Sequence, residues 1–126
     1  MKDTRDRKMN SMTGKINDAD QPFAAELAAL AAQISKRWNL NLLALEHKRR
    51  PVPGGALGLC YFNERRVALV LRFREGTEWR AHPVPRDIVL RTLAHEMAHL
   101  RFKPHGPALR ALETEIRDFL ESGAVG

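Results

Sequence analysis

The chain has one cysteine, Cys60, among 126 residues. A lone thiol closes no internal disulfide and cannot supply the paired thiolates of a structural zinc site, which excludes a disulfide-stapled scaffold and a zinc finger. Cys60 is read as a plain strand residue. No apolar run approaches the roughly 20 residues of a membrane span, and the N-terminal MKDTRDRKMNSMTGK lacks the apolar core of a signal peptide. The expectation is a cytoplasmic protein with no membrane contact. Internal repeats and low-complexity segments of consequence are also missing. The hydrophobic share of 44% and charged share of 29% are those of an ordinary globular protein, and 14.3 kDa leaves little room for a second domain. The expected organisation is a mobile N-terminal tail over residues 1–19, where mixed charges show no sustained period, followed by a single domain over 20–126.

What the chain does contain is concentrated between Asp87 and His105, DIVLRTLAHEMAHLRFKPH. Residues 88–100 are rich in Leu, Ala, Met and Val without Gly or Pro, and predict a helix. Within it lies His95-Glu96-Met97-Ala98-His99. Residues four apart share a helix face, so both imidazoles project the same way and one metal ion can bridge them. Glu96 points to the adjoining side, where a carboxylate can hold a water bound to that metal. This is the physical content of the H-E-x-x-H signature.

A catalytic zinc site needs a third protein ligand. Pro104 pushes the preceding residue out of the α region, so the helix is expected to stop near Phe102 and the chain to turn. His105-Gly106-Pro107 then opens a second helical pattern, and a His at that corner faces the same space as His95 and His99. Three His ligands leave a fourth position for water. The alternative, histidines that merely hydrogen-bond, would leave Glu96 inside an apolar helix without a reason.

The rest of the chain predicts the surroundings. Asp20 can cap a helix with Pro22 in its first turn and Phe23, Leu27, Leu30, Ile34 and Trp38 at helical spacing. Residues 40–45, 57–62 and 66–73 predict three strands, the last two joined by a tight turn at Asn63-Glu64. The prolines between Trp79 and Pro85 are taken to rule out regular structure there. Past His105, Leu109, Leu112, Ile116 and Phe119 or Leu120 form the apolar stripe of a closing helix, with Arg110, Glu113, Arg117 and Glu121 outside it. The expected fold class is α+β: a small three-stranded sheet with helices packed on it and the HExxH motif on the active-site helix.

The run TLAHEMAHLRFKPHGPALRALE resembles the catalytic segment of the SprT-like and YgjP-like (WLM) zinc metallopeptidases, minimal relatives of the gluzincins. His95, Glu96 and His99 match their helix motif, and His105-Gly106-Pro107 matches the turn carrying their third ligand. The resemblance is strong over residues 88–112 and weaker back to Leu57. It implies a zincin-like fold, Zn2+ as cofactor and a protein or peptide substrate. Leu109 stands where these families favour an aromatic, and the cysteine-rich extension of many SprT-like proteins is absent. The metzincin pattern shares the spacing from His99 to His105, but Phe102 occupies the place of its turn glycine and no methionine follows Met97.

The chemistry expected is peptide hydrolysis by a metal-activated water, with His95, His99 and His105 as ligands and Glu96 as general base. Tyr61, His82 and Arg101 are candidate donors to the developing oxyanion. Mn, Fe or Co suit a similar His site. Most of the formal charge of +6 comes from the middle of the chain. Lys48, Arg49, Arg50, Arg65 and Arg66 there offer a DNA contact or a surface for acidic peptides; with no nucleic-acid motif beside them, a solvated basic face is the plainer reading. The competing function is a metal-binding or DNA-associated module of the same fold with little or no turnover.

Overall fold

A computed structural model of the chain describes residues 11–48, 56–73 and 82–122, the side chains of residues 73 and 82 excepted. A mixed sheet lies against helices, in the α+β class. In chain order the elements are β1 (Met12–Thr13), a short 3-10 turn (Asp18–Asp20), α1 (Gln21–Arg37), β2 (Ala44–His47), β3 (Gly58–Tyr61), β4 (Arg66–Leu69), β5 (Arg72–Phe73), β6 (His82–Pro83), α2 (Arg86–Ala98) and α3 (Pro107–Glu121). The main sheet has four strands in the order β1-β2-β4-β3. Strand β2 runs parallel to β1 and to β4, while β3 and β4 form the antiparallel hairpin.

Helix α1 forms where alanines and leucines recur without interruption behind Pro22, and it buries Leu27, Leu30, Ile34 and the small face of Ala24, Ala28 and Ala31. Asp20 precedes it but makes no side-chain cap bond. Its carboxylate instead accepts two in-plane bonds from one edge of the Arg72 guanidinium, Nε to Oδ2 at 2.6 Å and NH2 to Oδ1 at 3.0 Å. A charged pair outcompetes a cap. Past Trp38, Asn39 and Asn41 both take positive φ, at 53° and 57°, a conformation asparagine tolerates. These two reversals delay the first predicted strand from 40–45 to Ala44–His47, yet Leu40 and Leu42 are still buried.

Three further expectations are corrected. The tail does not extend to residue 19, because Met12 is 7% exposed and pairs with Leu45 at the edge of the sheet, raising its strand count to four. The strand predicted over 66–73 is divided: at Val70 the chain leaves β4, and β5 pairs with β6 in a separate ladder. Pro83 therefore does lie in a strand, a two-residue edge that needs no donor from it. Arg49 and Arg50 lie outside the described residues. Among those described, no helix is long and apolar enough to cross a membrane.

Helix α2 is the centre of the packing, touching α1, the β3-β4 hairpin and α3. Leu93, Ala94, Met97 and Ala98 have no exposed surface, and Val89 is nearly as deep. With both flanks of α2 held in this way, the side chains it presents toward the hairpin and the start of α3 have fixed origins.

Candidate metal centre

His95 lies in the last turn of α2, and His99 is its capping residue, with φ −65° and ψ −17°. The helix proper ends at Ala98, four residues before the stop expected near Phe102, but His99 N still donates to His95 O at 3.2 Å, so the four-residue relation of the two imidazoles survives. Tight turns carry the chain on: Leu100 N donates to Met97 O, and Arg101 N and Phe102 N both donate to Ala98 O. After Lys103 and Pro104 comes His105, two residues before α3 begins at Pro107.

The structure brings the three rings to one point. Nε2 of His99 lies 3.2 Å from Nε2 of His95 and 3.3 Å from Nε2 of His105, and the third side of the triangle is 3.4 Å. A tetrahedral zinc ion with Zn–N bonds of about 2.0–2.1 Å requires ligand nitrogens roughly 3.3–3.4 Å apart. The donor chemistry agrees with the spacing. His95 Nδ1 donates to Glu113 Oε1 at 2.8 Å, and His99 Nδ1 donates to the carbonyl of Phe102 at 3.0 Å. With the proton on Nδ1, each ring aims a bare lone pair from Nε2 at the other. Lone pairs at that separation repel unless a cation lies between them, so the three residues are positioned to hold a metal ion. Burial holds the His99 imidazole below its ordinary value, against the opposing pull of the Phe102 carbonyl, a shift in the direction that favours the neutral ring metal binding requires.

Glu96 is 8% exposed, and its carboxyl borders a cavity of about 460 Å³ that the three histidines also line. Burial pushes this carboxyl above the usual glutamate range; His95 opposes the shift and Glu113 adds to it. The opposite wall is β3. Gly58 sits so close to α2 that a Cβ there would lie 2.4 Å from Cγ2 of Thr92 and 3.0 Å from Cγ of Glu96. Its lack of a side chain lets the strand lie on the helix at Glu96, and Leu59, Cys60 and Phe62 form that wall.

Of the expected oxyanion donors, neither Tyr61 nor Arg101 lines the cavity. Tyr61 is the cross-strand partner of Arg66, whose guanidinium covers its ring at 3.7 Å, and Arg101 donates to the carbonyl of Trp38. The side chain of His82 lies outside the described residues. Three contributors were not singled out from the sequence: Glu113, Gly58 and Lys103. Glu113 had a signal. Its charge sets it outside the apolar stripe in the sequence reading, yet residues 109, 112, 113 and 116 follow the i, i+3, i+4, i+7 spacing of one helix face, and Glu113 is half-buried as the charged member of that face. In the expected basic surface, Arg66 is neutralised by Glu46 and Glu64, and Arg65 donates to the carbonyls of Leu40 and Asn41.

Together these features define a class of protein: a mixed α+β fold with HExxH on the central helix and a third histidine on the loop that follows. The structure of Wss1 from Saccharomyces cerevisiae shares this fold with a TM-score of 0.67 and 21% identity, covering 85% of this chain and 82% of that one. A mutant of yeast Wss1 does so with a TM-score of 0.70 and 19% identity, over 91% of each chain. No protein-family model and no curated protein matches the chain. The fold is thus that of Wss1, while the SprT-like and YgjP-like assignment stands as a resemblance of the motif segment.

Proposed function

We propose that the chain is a zinc-dependent peptidase, with His95, His99 and His105 holding the metal and Glu96 acting as general base. The observation that carries this reading is the triangle of Nε2 atoms at 3.2, 3.3 and 3.4 Å, with the opposite nitrogens of His95 and His99 already bonded. Zinc in such a setting supplies Lewis acidity, polarising a carbonyl and acidifying water. The rest falls to the chain. Glu96 takes the proton of the attacking water and passes it to the leaving amine, a task suited to a carboxyl whose proton affinity burial raises. Strand β3, at the edge of the sheet, offers backbone donors and acceptors beside the cavity, so an extended peptide can pair there and lay its scissile bond over Glu96. The resemblance of the motif segment to known metallopeptidases and the shared Wss1 fold support the same reading.

The test is metal analysis of the purified chain followed by cleavage of casein and a fluorogenic peptide, with and without a chelator. One zinc per chain and chelator-sensitive cleavage are expected. Glu96→Gln should keep the zinc and lose roughly 10²–10⁴ in rate, the usual contribution of a positioned acid-base group. Full activity in that variant would remove Glu96 from the mechanism. One zinc without any cleavage by the unmodified chain would favour a metal-binding module that keeps the fold.

A further inference from the structure

Four of the described arginines are matched by carboxylates, while Arg37 lies over the Trp38 and Phe119 rings and Arg101 donates to the Trp38 carbonyl. Arg72 pairs with Asp20, Arg86 with Glu26, Arg91 with Asp87, and Arg66 with Glu46 and Glu64. Beside the cavity two cations meet a single ring, that of Phe62. Lys103 lines it next to His105, and its Nζ lies 4.7 Å from the centre of the Phe62 ring. Arg65 flanks the same ring, with Cζ 5.1 Å from the centre. The N–H groups of Arg65 go to the Leu40 and Asn41 carbonyls, dipoles that hold the guanidinium in place and leave its full charge standing. Among the described residues neither cation has a carboxylate partner. The carboxylate lining the cavity, Glu96, is buried rather than placed at the rim.

Two uncompensated cations thus stand against one aromatic ring at the mouth of a concave site. Phe62 directly follows the last residue of β3, so a peptide laid along that strand edge passes it. We propose that Phe62, Arg65 and Lys103 form a subsite for an acidic side chain, Asp or Glu, of the bound peptide, within a few residues of the scissile bond. The ring supports the aliphatic stem and the two cations receive the carboxylate. This inference rests on the peptidase reading and gives its substrate class. A nucleic-acid phosphate carries the same charge, but a duplex is held by a stripe of cations following its backbone. Among the described residues the next cation along, Arg66, is already neutralised by two carboxylates, and the free pair converges on one ring, with Phe62 and Lys103 lining the cavity and Arg65 flanking it.

The test uses the zinc-loaded full chain and fluorogenic peptides of an Ala/Leu background, with a single Glu, Gln or Lys moved through each position. At one or two positions the Glu peptide should be cleaved with kcat/KM roughly threefold to fivefold above its Gln counterpart, the size an exposed ion pair carries, with the preference fading at high salt. Lys103→Glu should invert the order, placing the Lys peptide above the Glu peptide while zinc content stays at one per chain. A misfolded variant would lose all peptides alike and could not invert them. Should no peptide be cleaved, binding of the same peptides to zinc-loaded Glu96→Gln, read by fluorescence anisotropy, separates the two readings. A Glu preference there keeps the subsite and sinks only the turnover. Equal cleavage or binding of Glu and Gln peptides overturns the subsite. So does duplex-DNA affinity that Lys103→Glu abolishes in the absence of any peptide preference, which would assign the rim to phosphate.

Discussion

Glu113 determines which nitrogen of His95 is free. By accepting the Nδ1 proton at 2.8 Å it fixes the tautomer and the ring angle, so the Nε2 lone pair is aimed before any metal arrives. Glu113→Gln keeps the size of the side chain but weakens the acceptor. It should lower zinc affinity by about 10–100-fold, read by competition with a chromogenic chelator, with the helical circular dichroism unchanged. Unaltered affinity would make Glu113 a bystander. Cys60 offers a second reading at this scale. Burial, then the charge of Glu96, push its thiol up to about 11, against a smaller opposing pull from Arg65. In metal-free protein its alkylation by iodoacetamide should therefore stay slow through pH 8 and accelerate only as pH climbs toward that value, whereas a free thiol turns reactive near 8.5. The profile should move to lower pH in Glu96→Gln, which lacks the neighbouring charge. A fast reaction at neutral pH in the unmodified chain would contradict the environment described.

Between elements, the decisive contact is β3 on α2. A Cβ at Gly58 would overlap Thr92 Cγ2 at 2.4 Å and press Glu96 Cγ at 3.0 Å. Gly58→Ala should cost about 1–3 kcal/mol, as overpacking does, and displace the Glu96 carboxyl from its place beside the histidines. Thr92→Ser removes the clashing methyl group, so the double variant should recover part of both stability and activity; urea midpoints and kcat/KM around the cycle measure the coupling. Additive losses would show that the strand does not rest on the helix there. Nothing in a one-dimensional pattern announces this contact, because Gly58 and Thr92 meet only after a hairpin and a second ladder have been built. The same reasoning separates what was legible from what was not. The helix carrying His95 and His99 follows from periodicity, and the corner at His105 from Pro104, since both are local. Closing-helix residues Leu109, Leu112 and Ile116 are buried as their spacing predicts. Strand ends were harder. Alternation across 66–73 is genuine, yet it does not tell at which residue the chain changes partners. Met12 and Thr13 are too few to show any period, and only the pairing with Leu45 and Glu46 makes them a strand.

For the whole molecule the question is whether the metal builds the fold or occupies one already built. His95 and His99 sit at the end of a helix whose Leu93, Met97 and Ala98 are wholly buried against α1, the hairpin and α3, so apolar packing places these two imidazoles unaided. His105 is different: it is exposed, on the short loop between α2 and α3, and a bound ion would tie that loop back to the helix. The expected behaviour is thus unlike that of a zinc finger, which unfolds when stripped. After chelation the chain should keep its helical spectrum at 25 °C. Zinc at a hundredfold excess over its dissociation constant should then add about 2.7 kcal/mol, which for a chain of this length raises Tm by about 10 °C. His105→Ala should remove most of that rise while leaving the Tm of the metal-free protein nearly unchanged, since its side chain supports no part of the core. Acid sets a limit of its own. Because burial holds His99 below the ordinary imidazole value of 6.5, the stability contributed by its neutral form in the metal-free fold is fully present above 6.5 and is lost as pH falls from there through the lowered value. Scanning calorimetry with and without zinc across this range measures both effects, and a chain that unfolds at 25 °C on chelation would show instead that the ion assembles the site.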